Sequence, residues 1–164
     1  MNKQIQKLFL SNFLGGLYFY LPIFTLFLLD HNITLSTIML AQMAYSIMSF
    51  LFEVPTGVLA DRIGHHKSVA IGYLVDFLGL LLIVLFPTSI TLIIAQGVRG
   101  VANSFLSGSK EALLYEYCKK ANRNYKKDYS HLMSYDILGV AISTFITGIV
   151  IQMFGPASYV AIFI

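Results

Sequence analysis

The sequence has no tryptophan, a single cysteine and few charges: 12% of its 164 residues are Asp, Glu, Lys or Arg, while 57% are hydrophobic. Soluble domains carry roughly a quarter charged residues, so most of this chain's surface cannot face water and lipid is the expected solvent. A lone Cys118 excludes an internal disulfide and a cysteine-based structural metal site, which leaves a free thiol near a membrane surface. Without tryptophan, packing and interfacial anchoring fall to 10 Tyr and 13 Phe. No His-Glu-x-x-His pair, nucleophile elbow or phosphate-cradling glycine loop occurs, so neither an enzyme nor a cofactor is expected. The formal charge of +3 would suit a nucleic-acid partner, but the basic residues flank apolar runs instead of forming a basic domain, and no nucleic acid is expected.

What is present is a series of long apolar runs. The first, Leu8 to Leu29, holds 22 residues without a charge, enough to cross a bilayer, and its Phe19 to Phe24 stretch offers no signal-peptide cleavage site. Hydropathy and breakers predict spans near 8–29, 33–60, 68–86, 89–115 and 130–153, with a sixth beginning near Pro156. The expected fold is therefore an all-α polytopic membrane helix bundle of five complete transmembrane helices plus a truncated sixth. That sixth segment reaches Ile164 after nine residues, whereas a crossing needs roughly 20, so residues 1–164 are expected to be an amino-terminal bundle that is incomplete at its carboxyl end.

Between the spans lie short connectors at 30–32, 61–67, 87–88 and 154–156. One longer segment, 116–129, carries Lys119, Lys120, Arg123, Lys126 and Lys127 and is expected to be solvated and partly helical. Lys3 and Lys7 precede the first span, and Arg62 and Lys67 sit in the second connector, while the first, third and fifth connectors have no Lys or Arg. Short loops rich in these residues stay in the cytoplasm, so the amino terminus is expected inside and the protein multi-pass in the cell (plasma) membrane.

After the second span stands Gly57-Val58-Leu59-Ala60-Asp61-Arg62-Ile63-Gly64, followed by His65, His66 and Lys67. Small Gly57 and Ala60 permit close helix approach, Gly64 permits a turn, and Asp61 can face a helix end or a cation. The segment resembles the loop between the second and third helices of the major facilitator superfamily, Gly-x-Leu-Ala-Asp-Arg-x-Gly followed by basic residues. Gly57, Leu59, Ala60, Asp61, Arg62 and Gly64 match it. His65 and His66 replace the family's Arg or Lys, leaving Lys67 as the nearest fixed positive charge; a solvated loop is the favoured reading of the two histidines, and weaker or pH-sensitive gating the competing one. Residues from Arg99 to Glu116 are similar to the fourth helix of a drug-efflux-like bacterial group with Ser-Gly-x-x-Glu-Ala-Leu-x-Tyr. The glycine-proline motif of many antiporters' fifth helix is missing, since Gly148 and Gly155-Pro156 lack its spacing. The resemblance implies alternating-access transport of a small molecule, proton- or ion-coupled, with a drug-like compound slightly preferred and drug efflux open beside uptake, since uptake symporters and uniporters share the loop signature. It implies as partners the lipid bilayer, a missing carboxy-terminal half, the small-molecule substrate and protons. It also implies a gating loop motif of Gly57, Leu59, Asp61, Arg62, Gly64 and Lys67.

Polar residues inside the apolar runs fall on stripes. Gln42, Ser46, Ser49, Glu53 and Thr56 share one side of the second helix. In the fourth, Arg99, Asn103, Ser107 and Glu111 form one stripe, beside Gly100, Ser104, Gly108 and Ala112, of which Gly100, Ser104 and Gly108 are expected to pack closely on another helix. The first span adds Asn12, Gly15 and Gly16, the third adds Asp76 and the fifth Asp136, Ser143 and Thr147. A charge at the bilayer centre costs roughly 2.5 to 3.5 kcal/mol on insertion scales, so each needs a partner or water. Arg99, Asn103, Glu53, Asp76 and Asp136 are the candidates for a substrate or proton path, Arg99 foremost. A structural ion-pair network is the competing role for these charges. A truncated, non-transporting membrane interaction or regulatory protein is the competing function.

Overall fold

The computed structural model describes residues 3–154, and every element among them is helical. In chain order these are α1 (Lys3–Gly15), a short 3-10 turn (Leu21–Ile23), α2 (Phe24–Asp30), α3 (Leu35–Ile63), α4 (His65–Leu85), α5 (Ser89–Lys120) and α6 (Tyr125–Phe154). The expected sixth span near Pro156 lies outside the described residues. By length and composition α3, α4 and α6 can each cross a membrane. α5 is longer, at 32 residues, but Arg99, Lys110, Glu111 and Glu116 interrupt its apolar character. The expected count of five complete spans is therefore not reached on these grounds.

The first span departs furthest from expectation. Leu8 to Leu29 is not one helix: α1 stops at Gly15, residues 16–20 are non-helical, and the chain resumes through the turn at Leu21. Adjacent Gly15 and Gly16 lower helix propensity, and Pro22 lacks the N–H a continuing helix would need. Another expectation shifts the opposite way. The second connector shrinks to Gly64, because α3 runs through Ile63 and α4 starts at His65; the basic segment 116–129 is partly helical as expected, with 121–124 between α5 and α6. Lys, Glu and Arg are good helix formers, so charge there extends the helices past the apolar run.

Helix ends follow local chemistry. Thr34 caps α3, its Oγ1 accepting from Thr37 N at 3.4 Å, and Thr88 Oγ1 accepts from Thr91 N at 3.2 Å before α5. Gly64, with φ of 93°, ends α3 in a backbone region that disfavours side chains, and its N–H reaches Ala60 O at 2.8 Å.

The chain forms two compact units, Met1–Phe27 with Leu114–Ile164, and Leu28–Leu113. In the second, α4 inverts the water-soluble pattern: Ser68, Gly72 and Gly79 are buried while Leu74, Phe77 and Leu85 are exposed. Phe50 and Val54 of α3 are likewise 77% and 74% exposed. Small residues inside and large apolar residues outside suit a lipid solvent, where helices associate by close contact and polar bonds. α4 runs antiparallel to α5, with Ser68 bonded to Ser109 and Asp76 to Arg99. α3 runs parallel to α5, since Ser49 meets Asn103 and the lining of one shared cavity advances along both helices.

In the first unit α1 and α6 run parallel. Asn12 Nδ2 donates to Leu132 O at 2.9 Å, Gly16 lies on Asp136, and Thr147 Oγ1 donates to Phe19 O at 2.8 Å. The Thr147 bond satisfies a carbonyl in the broken stretch, as non-helical backbone at membrane depth requires. A Cβ at Gly16 would sit 2.6 Å from Asp136 O, which is why the backbones can approach there.

Candidate functional site

The Leu28–Leu113 unit gathers most of the candidate residues around α5. Arg99, only 9% exposed, points at α4: its Nε donates to Asp76 Oδ1 at 2.8 Å and its Nη1 to Gln96 Oε1 at 3.2 Å. The guanidinium and carboxylate thus largely neutralise one another between two helices, the solution expected for charge at membrane depth. Gly79 makes room for this pair, because a Cβ there would collide with Arg99 Cγ. About two helical turns from Gly79, Gly72 opposes Leu106 and the backbone of Ala102. Beyond it Ser109 donates to Ser68 Oγ at 2.7 Å, and Ser68 to Phe105 O at 3.2 Å.

On the α3 side, Asn103 Nδ2 donates to Ser49 Oγ at 3.0 Å. Gly100 lies directly on the Tyr45 carbonyl, so any side chain at that position would force α3 and α5 apart. Ser104 is buried and turns its hydroxyl to Val101 O. At Gly108 the helices have separated: a Cβ would meet nothing within 4 Å, and the same is true at Gly57. The small-residue stripe therefore packs at one end and opens at the other.

The opening is a cavity of about 200 Å³ lined by Glu53, Gly57, Ala60, Asp61, His65, Ser104, Gly108, Ser109 and Ala112. It brings part of the loop motif together with part of the α5 stripe. His65 Nε2 lies 3.7 Å from Asp61 Oδ1, a contact that becomes an ion pair only when the imidazole is protonated. Leu59, Arg62 and Lys67 are exposed and outside the cavity lining, and Gly64 supplies the turn. Lys110 does not face the cavity; its Nζ sits 5.1 Å from the centre of the Tyr73 ring. Among the described residues no group of His, Cys, Asp and Glu is arranged to hold a metal ion.

Asp136 belongs to the other unit, half-buried beside Gly16, and is not part of the Arg99 cluster. That unit holds an ion pair that the residue pattern did not single out. Arg123 donates from Nε to Asp128 Oδ2 at 2.6 Å and from Nη2 to Oδ1 at 2.7 Å, a bidentate clamp across the turn between α5 and α6. Cys118 Sγ donates to the same carboxylate at 3.4 Å. The Arg123 hydrogen bond holds the Asp128 carboxyl below its ordinary range, while burial, then the Asp128 contact, pushes the Cys118 thiol up to about 11. Gln96, Gly72, Gly79 and Ser68 are the other contributors that were missed. Gln96 stands one turn before Arg99, and Gly72 and Gly79 lie seven residues apart on one face of α4, the signals that were available.

Comparison with known proteins places this arrangement. A family model described as the Major Facilitator Superfamily matches residues 8–164. An uncharacterized transporter of Buchnera aphidicola subsp. Schizaphis graminum (strain Sg) is 31% identical over 104 residues, 63% of this chain and 24% of that protein. The quinolone resistance protein NorB of Staphylococcus aureus (strain JH9) is 26% identical over 124 residues, 76% of this chain and 26% of that protein. The chain thus spans about a quarter of the length of either relative. A match through 8–164 takes in the Gly57–Gly64 turn, the Arg99 helix and the broken first span together, and the chain belongs to the Major Facilitator Superfamily.

Proposed function

We propose that residues 1–164 are the amino-terminal transmembrane bundle of a secondary transporter that moves a small molecule by alternating access, coupled to protons or another ion, in the efflux direction. The observation that carries this reading is the polar column of α5, buried Arg99 and Gln96 with half-buried Asp76 and then half-buried Asn103 with Ser49, inside helices whose outer faces are apolar. Such polar residues at membrane depth cost several kcal/mol unless paired or hydrated, and a transport path is the usual reason a membrane protein keeps them. The likeness to a quinolone resistance protein supports a drug-like substrate, and export of such a compound is the direction that would confer resistance.

In this proposal Arg99 and Asp76 are the exchangeable pair, protonation of the carboxylate releasing the guanidinium to another partner or to an anionic group of the substrate. Glu53 and Asn103 extend the polar path along α3 and α5, and Asp136 is a separate proton-path candidate on α6. Asp61 and Arg62, at the turn between α3 and α4, bias the opening of a cytoplasmic gate. The amino terminus faces the cytoplasm of a cell whose plasma membrane holds the protein, and the rest of the path comes from a carboxy-terminal half.

The test is proton-gradient-dependent flux of a panel of dyes and metabolites in vesicles that carry the protein with its further helices. Arg99→Ala is expected to abolish gradient-driven flux, and Asp61→Asn to change cysteine accessibility at the gate. Full flux in Arg99→Ala would overturn the assigned role of Arg99, and unchanged accessibility in Asp61→Asn that of the gate.

A further inference from the structure

Five basic residues crowd the end of α5 and the start of α6, and they divide into two kinds. Arg123 is committed to Asp128 through two charge-assisted bonds. Lys119, Lys120, Lys126 and Lys127 are exposed and join no ion pair among the described residues. The only carboxylate in the first turn of α6, Asp128, is buried and already occupied by Arg123 and Cys118. Four exposed lysines thus surround one turn, against a single further carboxylate in 116–129, Glu116, one helical turn before Lys119 and Lys120.

The turn itself is held. Arg123 N donates to Cys118 O at 2.9 Å, Asn122 takes a φ of 51°, and Asn124 Oδ1 accepts from Lys127 N at 3.4 Å. The amines therefore project from fixed helix ends. Lys119 and Lys120, in the last turn of α5, are placed favourably for that helix's dipole, but Lys126 and Lys127 stand in the first turn of α6, where the dipole opposes a cation. Local helix energetics offer no reason for the second pair; a nearby anion does. Beside the lysines lies a tyrosine cluster, with Tyr125 edge-on to Tyr115 at 5.8 Å and stacked on Tyr129 at 5.7 Å. Tyrosine, apolar in its ring and polar at its tip, settles at headgroup depth.

We propose that this turn is a docking surface for anionic phospholipid headgroups, gathered by Lys119, Lys120, Lys126 and Lys127. The inference rests on α6 crossing the membrane and not on what the protein transports. Four monovalent amines spread over two helix ends match several singly charged phosphodiesters in a leaflet better than one free phosphate. A lysine near an anionic surface contributes about fivefold in affinity, so the four together are expected to favour anionic over zwitterionic lipid by at least about 100-fold.

The experiment titrates the purified 164-residue chain, in neutral detergent micelles, with phosphatidylglycerol or phosphatidylcholine and counts bound lipid by native mass spectrometry. The wild type is compared with a variant in which all four lysines become Gln and one in which all four become Arg. Expected results are preferential phosphatidylglycerol binding by the wild type, its loss in the Gln variant, its retention in the Arg variant, and no displacement by inorganic phosphate. Equal binding of the two lipids, undiminished phosphatidylglycerol binding by a Gln variant, or displacement by phosphate would overturn the proposal. So would tighter binding of a short RNA than of phosphatidylglycerol. If the Gln variant does not fold, a Lys126→Gln, Lys127→Gln double variant and the wild-type lipid comparison still decide it.

Discussion

Replacing Asp76 by Asn removes the carboxylate 2.8 Å from Arg99 Nε but keeps nearly the same shape. Arg99 is buried and stays charged at any working pH, so the variant holds a guanidinium whose neutralising charge is gone. Two unit charges about 4 Å apart attract by about 4 kcal/mol at an effective dielectric of 20, and an uncompensated charge at membrane depth costs about 3 kcal/mol on insertion scales. These figures agree on a loss of about 3 kcal/mol for Asp76→Asn, with Arg99→Gln similar because it strands the carboxylate. The double variant has no charge to strand and should lose no more than either single one, a coupling of at least about 2 kcal/mol. Thermal unfolding of the chain in detergent, followed by circular dichroism, measures this. Each single variant should melt roughly 6 to 12 °C lower, with no further fall in the double. Additive losses would show that the two side chains do not neutralise one another, and single losses under about 1 kcal/mol would place the pair in a hydrated, high-dielectric setting.

Other consequences follow from the packing and the connector. Gly100→Ala should destabilise the chain by about 1 to 3 kcal/mol through overpacking against Tyr45, whereas Gly108→Ala, facing open space, should be neutral or stabilising; denaturant titration of both separates the two. Thr147→Val should cost about 1 kcal/mol and speed hydrogen exchange in residues 16–20, because the Phe19 carbonyl loses its donor. With its thiol pushed up from 9.0 to about 11, Cys118 should hold about 100-fold less thiolate at pH 8 than an ordinary thiol, so maleimide labelling of the folded chain should be at least that much slower than of the unfolded chain. Asp128 is depressed when folded, so its contribution to stability is present above the ordinary carboxylate range and disappears as pH falls through the folded value. Arg123→Gln should therefore move the acid-unfolding midpoint of the connector to higher pH, read by hydrogen exchange across 118–131.

Helix ends were legible where one residue determines the backbone. Gly64 was expected to permit a turn and 87–88 to separate two spans, and the structure ends α3 at the first and caps α5 with Thr88 at the second; the Thr34 cap before α3 was not singled out. The first span was not legible as two pieces, because an unbroken apolar run from Leu8 to Leu29 reports solvent preference and says little about backbone continuity. Gly15-Gly16 and Pro22 were the only local clues. The basic segment after Tyr115 was expected to be partly helical, and its Lys and Glu residues carry helix up to Lys120 and again from Tyr125. At the candidate site, spacing placed Arg99 and Asn103 on one stripe, but not the helix each would meet. Asp76 and Ser49 lie 23 and 54 residues away, and only the packing of α4 and α3 against α5 pairs them. The same limit hid the cavity: a stripe of small residues looks alike on paper whether the helices touch, as at Gly100, or part, as at Gly108.

The parallel pairing of α1 and α6 sets a problem in time. Asn12 finds its acceptor 120 residues later in the chain, and the broken stretch around Phe19 waits for Thr147, 128 residues on. At ribosomal speeds of about 5 to 20 residues per second, that delay is roughly 6 to 26 seconds. Throughout it the Asn12 amide and the Phe19 carbonyl lack these partners, a state for which a protein-lined insertion channel, or a few waters carried in with the segment, is a better host than bare hydrocarbon. The break that later positions α1 against α6 thus also makes α1 wait for a helix made more than 100 residues after it.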